Sequence, residues 1–415
     1  MTSVFQRTGW IGTERLLRAG SLICVQLLLA RYFTLDDYGR FTVLSAYIAI
    51  ACVVGSLGLD GGLVQSALRS AGGGVYGRLL LSRFGAGALC AAIGAILLSQ
   101  LQIEQDRVCL LLAAGVAICS MQDFLEAPYL LGPGLRRLLS LRAAIVFLGM
   151  VAKVAAAIFI GTLESVLAAW LIESIALVFL HLHLLPADAR NGSINQASRF
   201  GNGLVSAAVP LWLSGIAICA YLRADQLIIA KLLPSAELAA YGAAQRLFEA
   251  SFLVQQSLIA ALLAPYMTAR DRGPAEAAHF LRRITCVIVA FSAVAALLTY
   301  LGAELLIDTL FGPRFSAAVP LFQNLCLALP VIAWGVLRSI WIYSNQLGWA
   351  ALIQNLIAGL LGVNLNLALI PIGGTDYASR IYVLCVLCAF VISGFFIPSM
   401  RRLHWQLSYP NQLHR

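Results

Sequence analysis

The sequence predicts an all-α integral membrane protein of about twelve transmembrane helices arranged as two six-helix bundles. Three observations carry this expectation. Of 415 residues, 60% are hydrophobic and only 11% charged, about half the charge of an average soluble domain, and the mean hydropathy is +0.87. Apolar runs recur at about the 20-residue length that crosses a bilayer core. The connections between them are short, so none is expected to fold as a separate domain. A soluble enzyme of this length and a low-complexity disordered or fibrous chain are excluded.

Runs bounded by Gly, Pro and charged residues predict spans at roughly 10–31, 40–66, 78–101, 107–131, 137–161, 164–186, 203–232, 238–267, 279–302, 316–343, 346–371 and 376–399. The first is short in its apolar part, Ala19 to Ala30, and follows Glu14, Arg15 and Arg18. No small-x-small cleavage site comes after it, so it reads as a helix rather than a removable leader. The second carries Asp60 near its end. The fourth holds Asp123 and Glu126 toward one end, where interface solvation is expected. The fifth carries Lys153, the sixth Glu173, and His181 and His183 close the sixth at the interface. The seventh contains Pro210, Arg223 and Asp225, and the eighth Arg246, Glu249 and Pro265. Pro320 and Pro330 interrupt the tenth and free carbonyls that can line a cavity or hinge. Gln323, Asn324, Gln354, Asn355, Asn364 and Asn366 bring amides to the tenth and eleventh spans, suited to interhelical hydrogen bonds.

The longest polar stretch, 187–202, divides the chain into an N-terminal bundle (1–186) and a C-terminal bundle (203–400), with a tail at 401–415. Two short matches point to an internal repeat in register with this division. ARYFTLDDYGRF (30–41) resembles AKLLPSAELAAYGAA (230–244), each carrying a Tyr-Gly that opens the next helix. IGTLESVLA (160–168) resembles IGGTDYASR (372–380), each joining the fifth and sixth helices of its half. An even number of spans per half gives halves of like orientation, related by an axis along the membrane normal.

The chain carries 28 Lys and Arg against 19 Asp and Glu, a net charge of +9. With the N-terminus inside, 17 of the cations fall on the cytoplasmic side and 6 on the other, so both termini are expected in the cytoplasm. Arg15, Arg18, Lys153, Arg223 and Arg246 are left within spans. An ionised side chain at that depth must face protein or water. On the first helix Arg15, Arg18, Leu22 and Gln26 fall within about an 80° arc, and on the eighth Arg246, Glu249, Leu253 and Gln256 do the same. These faces are expected to line a polar cavity. Arg246 and Glu249, three residues apart, are spaced to pair. A string of cations across the bilayer suits a multiply charged anion, and the guanidinium fork fits phosphate oxygens. Asp225, Glu249 and Asp60 are the carboxylates placed to neutralise a neighbour or carry a coupling ion; Lys153, Gln26 and Gln256 are additional cavity candidates.

The cysteines lie in or at the edge of apolar runs, so Cys385-x-x-Cys388 reads as two small core residues rather than a redox or metal motif. No metal-ligand spacing, catalytic triad or phosphate-cradling loop appears, and neither a cofactor nor a nucleic-acid partner is expected.

LLLARYFTLDDYGRF, GLDGGLVQSALRS, RADQLIIAKLLPSAELAAYGAAQRLFEA, LLAPYM, LIDTLFGPRFSAAVPLF and NLNLALIPIGGTDYAS follow one another along the chain. In their order and spacing the sequence resembles the polysaccharide flippases of the multidrug/oligosaccharidyl-lipid/polysaccharide exporter superfamily, which move O-antigen and exopolysaccharide repeat units. The resemblance implies two six-helix bundles around a V-shaped cavity, alternating access, and an undecaprenyl-pyrophosphate-linked oligosaccharide as cargo. It matches Asp225 to an acidic position near the end of the seventh helix, Tyr241-Gly242 to the opening of the eighth and Pro265 to its end, with Arg246 and Glu249 at polar positions typical of the eighth.

The expected function is therefore a flippase of the bacterial inner membrane, with Arg15, Arg18, Arg246 and Arg223 receiving the pyrophosphate. Membrane lipid is its solvent, and a polysaccharide polymerase and glycosyltransferases are the expected protein partners. A cation-coupled drug exporter would want anionic or aromatic cavity walls, which five intramembrane cations oppose. A polymerase or ligase would present a large outer loop, and none is expected here. A scaffold for glycosyltransferases would leave the buried charges without a role in transport.

Overall fold

The computed structural model describes residues 2–59, 74–100, 106–120, 122–129, 134–185, 201–344 and 348–392. Asp60, the tail 401–415 and all of the expected linker except its last two residues lie outside the described residues. The described chain is helical throughout and divides into two compact units, Met1–Cys219 and Ala220–Arg415.

The first unit begins with α1 (Thr2–Tyr32) and α2 (Leu35–Val54). Thr34 sets the start of α2: its Oγ1 accepts a hydrogen bond from the Asp37 amide at 3.1 Å, and Asp36 and Asp37 place negative charge at the positive end of the helix. Then come α3 (Gly74–Gln100), α4 (Arg107–Cys119), the short α5 (Gln122–Glu126), α6 (Leu135–Ala155) and α7 (Leu163–His183). Helix α6 packs between α1 and α7, and α4 between α2 and α7. The boundary between units falls inside α8 (Gly201–Leu232). Its early turns belong to the first unit, where the Trp212 indole donates to the Val54 carbonyl at 2.8 Å.

The second unit continues with α9 (Ser235–Arg272), α10 (Pro274–Leu301), α11 (Ala303–Leu310), α12 (Ala318–Cys326), α13 (Leu329–Ser344) and α14 (Gly348–Leu387). Here α9 packs on α10 and α12, α10 on α13, and α14 on α12 and α13.

Among the described residues, eight helices have the length and apolar character to cross a membrane, or nine when α12 and α13, bent by 42°, are taken together. α14 is two helices joined at Gly374, whose φ of 63° and ψ of −151° are not helical. These are the eleventh and twelfth expected spans. The first expected span is not among these apolar helices, because α1 carries Glu14, Arg15, Arg18 and Arg31; the eighth falls on α9, where the side chains of 252–261 lie outside the described residues. Leu81, Phe159 and Ile372 leave at least three quarters of their surface exposed, as suits side chains whose solvent is hydrocarbon.

The repeat has a structural counterpart. Tyr38 and Tyr241, which precede the two matched glycines, are both buried. The two fifth-to-sixth connections turn on Gly161 (φ 72°) and Gly374 (φ 63°), each followed by a threonine. A side chain would be strained at either.

Candidate functional site

In the second unit α8 and α9 bring together a group of polar and charged side chains. On α9, Tyr241, Gln245 and Glu249 recur every four residues and so share a face, with Arg246 beside them. On α8, Arg223, Asp225 and Gln226 meet that face. Glu249 accepts from two guanidinium groups: Arg223 Nη2 lies 2.7 Å from Oε1 and Arg246 Nη1 lies 2.8 Å from Oε2. The three side chains carry a net positive charge. They are partly open, with 18% of Arg223, 10% of Arg246 and 32% of Glu249 exposed. Two guanidinium groups held by one accessible carboxylate can exchange it for the oxygens of a phosphate or diphosphate.

Behind this cluster lies a closed network. The Tyr241 hydroxyl donates to Asp225 Oδ2, and the Gln226 amide donates to Asp225 Oδ1 at 2.7 Å. The Gln226 side chain donates to Gln245 Oε1, and Gln245 Nε2 donates to the Leu222 carbonyl at 3.0 Å. Asp225 and Gln226 are both buried. Asp225, two residues from Arg223 in sequence, thus pairs with a tyrosine, and Glu249 takes the arginine.

The first unit distributes its charges differently. Arg142 is fully buried between two carboxylates: Nε lies 2.9 Å from Glu14 Oε1, and Nη1 donates to Glu126 Oε2 at 2.8 Å. Lys153 pairs with Glu173 at 2.7 Å, both side chains at most 9% exposed, and the ammonium stands 5.8 Å from the centre of the Trp170 ring. Gly149 makes room for this pair, since a Cβ there would overlap the Glu173 carboxylate. Lys153, expected to add to a cavity wall, is thus enclosed in helix packing, because Glu173 on α7 neutralises it. Glu126, expected at a solvated interface, is instead buried, held there by Arg142. Gln26 is buried and Arg18 half-buried on α1. Arg15 lies on α1 and Gln256 on α9, with their side chains outside the described residues, and Asp60 lies wholly outside them.

Three arginines assigned to the cytoplasmic side by sequence lie inside the helix packing: Arg83 (6% exposed), Arg142 (0%) and Arg338 (2%). The signal was the flanking sequence. Arg142 stands in LLSLRAAIVF and Arg338 in AWGVLRSIWIY, and neither arginine ends its apolar run. Among the described residues no group of three or more His, Cys, Asp or Glu side chains could hold a metal ion.

Residues 28–320 match the family described as "Polysaccharide biosynthesis protein". Among curated proteins nothing matches significantly. Several solved structures share the fold. The lipid II flippase MurJ, in an inward closed conformation, superposes with a TM-score of 0.72 at 12% identity, covering 94% of this chain and 87% of its own. An inward-facing multidrug resistance MATE family transporter of the MOP superfamily gives 0.65 at 12% identity, covering 96% of each chain. A point mutant of the Vibrio cholerae MATE transporter VcmN gives 0.58 at 12% identity over 99% of this chain and 98% of that one. At such identities the likeness speaks for the fold, and the family match extends over most of the sequence. This protein belongs to the polysaccharide biosynthesis protein family and carries the fold of the MOP-superfamily transporters.

Proposed function

We propose that the protein is a flippase that moves an undecaprenyl-pyrophosphate-linked oligosaccharide across the bacterial inner membrane by alternating access, in the biosynthesis of O-antigen or exopolysaccharide. The observation that carries the reading is the Arg223–Glu249–Arg246 cluster, a partly exposed, net-positive pair of guanidinium groups within membrane-spanning helices. Such a group needs compensation for lost hydration, and a diphosphate head can supply it by displacing Glu249. Family membership favours a saccharide cargo. Arg15 and Arg18, on α1, are proposed as further ligands of the diphosphate, with the glycan in water and the polyprenyl chain in lipid. Asp225, enclosed behind the cluster, and Asp60 are candidates for carrying a coupling ion. A polymerase and glycosyltransferases would work beside the protein on the same cargo. An organic-cation exporter fits less well, because two arginines per carboxylate repel such a substrate.

The test uses a strain lacking the protein, in which lipid-linked repeat units accumulate on the cytoplasmic leaflet. Wild-type protein restores export. Arg246→Glu and Arg223→Glu are expected to fail while reaching wild-type levels in the membrane. Normal export by both variants would overturn the docking assignment.

A further inference from the structure

Arg338 is a different kind of arginine from those above. On α13 it is 2% exposed, yet no ion pair forms on it among the described residues. Its Nη2 makes both of its protein hydrogen bonds, donating to Gln354 Oε1 and to the Ala389 carbonyl at 3.0 Å. Nε and Nη1 are buried with no hydrogen-bond acceptor. Both acceptors that are present are neutral. The sequence sharpens the point: beyond Asp308 the only acidic side chain is Asp376, and it is engaged by Arg380 at 2.8 Å.

The surroundings are built rather than accidental. Residues Cys388–Ile392 form a π-helical turn, a feature common at functional positions, and backbone carbonyls of this turn meet α13. Two of those carbonyls are claimed from α13: Ala389 by Arg338, and Phe390 by the Trp334 indole at 3.3 Å. The Phe390 ring stands 6.0 Å from the guanidinium carbon and packs over Gly335, where a Cβ would overlap it. Backbone and ring thus hold the guanidinium in place without neutralising it.

A lysine in this position could shed its proton; an arginine cannot. A buried cation that stays charged needs a counter-charge. We propose that Arg338 is the centre of a binding site for a small monovalent inorganic anion of chloride size, held by Nε and Nη1 within the second unit. Arg338 is buried and shares no residue with the Arg223–Glu249–Arg246 cluster, so the site is separate from the proposed cargo site and stands or falls independently of that reading.

The full-length protein, purified in detergent, is unfolded thermally in potassium chloride, potassium bromide and potassium gluconate at equal ionic strength. The wild type is expected to unfold about 3–5 °C higher in the halides, with a saturable dependence. Gln354→Glu places a carboxylate where the side-chain oxygen already meets Arg338, so this variant should be as stable in gluconate as the wild type is in chloride and should ignore halide. Arg338→Gln should also ignore halide; should it fail to fold, the Gln354→Glu arm still decides. Bromide-soaked crystals should show an anomalous peak beside the guanidinium. Equal wild-type midpoints in chloride and gluconate, or a Gln354→Glu protein with an undiminished halide response, would overturn the proposal.

Discussion

Each arginine that the chain buries must be answered by something negative or wet, because the guanidinium keeps its proton. Arg142 is answered by two carboxylates within 3 Å, Glu14 from α1 and Glu126 from α5. Removing the cation alone would leave two buried carboxylates facing each other. Arg142→Met is therefore expected to cost about 3–5 kcal/mol. Neutralising all three positions together, with Glu14→Gln and Glu126→Gln added, should recover most of that loss. Thermal midpoints of the purified variants check this, and a triple variant no more stable than the single would argue against the pairing. Arg246 and Glu249 are legible as a pair from their spacing alone. The second guanidinium on Glu249 is not, because Arg223 reaches it from another helix. For the same reason Lys153 reads as a cavity cation in the sequence, since the Glu173 that neutralises it stands on a different helix.

At the scale of the element, the position of most helices is written in the apolar runs, and helix breaks largely are not. The tenth expected span is α12 and α13 with a 42° bend, and the fourth leaves helical geometry at Ser120, whose ψ is 57°. Such breaks depend on which neighbour takes the freed carbonyls, a property of the packing rather than of the run. The fifth-to-sixth connections are an exception, since the repeat marks them and both turn on a glycine of positive φ. Gly374→Ala is expected to destabilise by about 1–3 kcal/mol, since a side chain is forced into a region nearly reserved for glycine. Gly20→Ala, in the middle of α1 with open space around it, should be neutral or gain up to about 1 kcal/mol. Denaturation in detergent distinguishes the two; equal effects would contradict the backbone argument.

Across the whole molecule, charge asymmetry sets the proposed orientation. Setting aside the three buried arginines leaves fourteen cations against six, so the bias toward a cytoplasmic N-terminus survives their removal. A green fluorescent protein fused after Arg415 is expected to fluoresce, and an alkaline phosphatase fused there to stay inactive. The reverse pattern would invert the topology and with it the direction assigned to transport.

Taken alone, the sequence determined that this chain is a membrane-spanning helical protein, that its two halves carry matching segments, and that certain cations require an explanation. These properties are local sums: hydropathy over a run, spacing along a helix, the similarity of two segments. Only the tertiary structure decided which charges cancel in helix packing, which keep an open face, and which, like Arg338, are enclosed with only neutral acceptors. That division has one physical cause. A charge's fate in low dielectric is settled within a few ångströms, and for Arg142, Lys153 and Arg223 the partner stands on another helix.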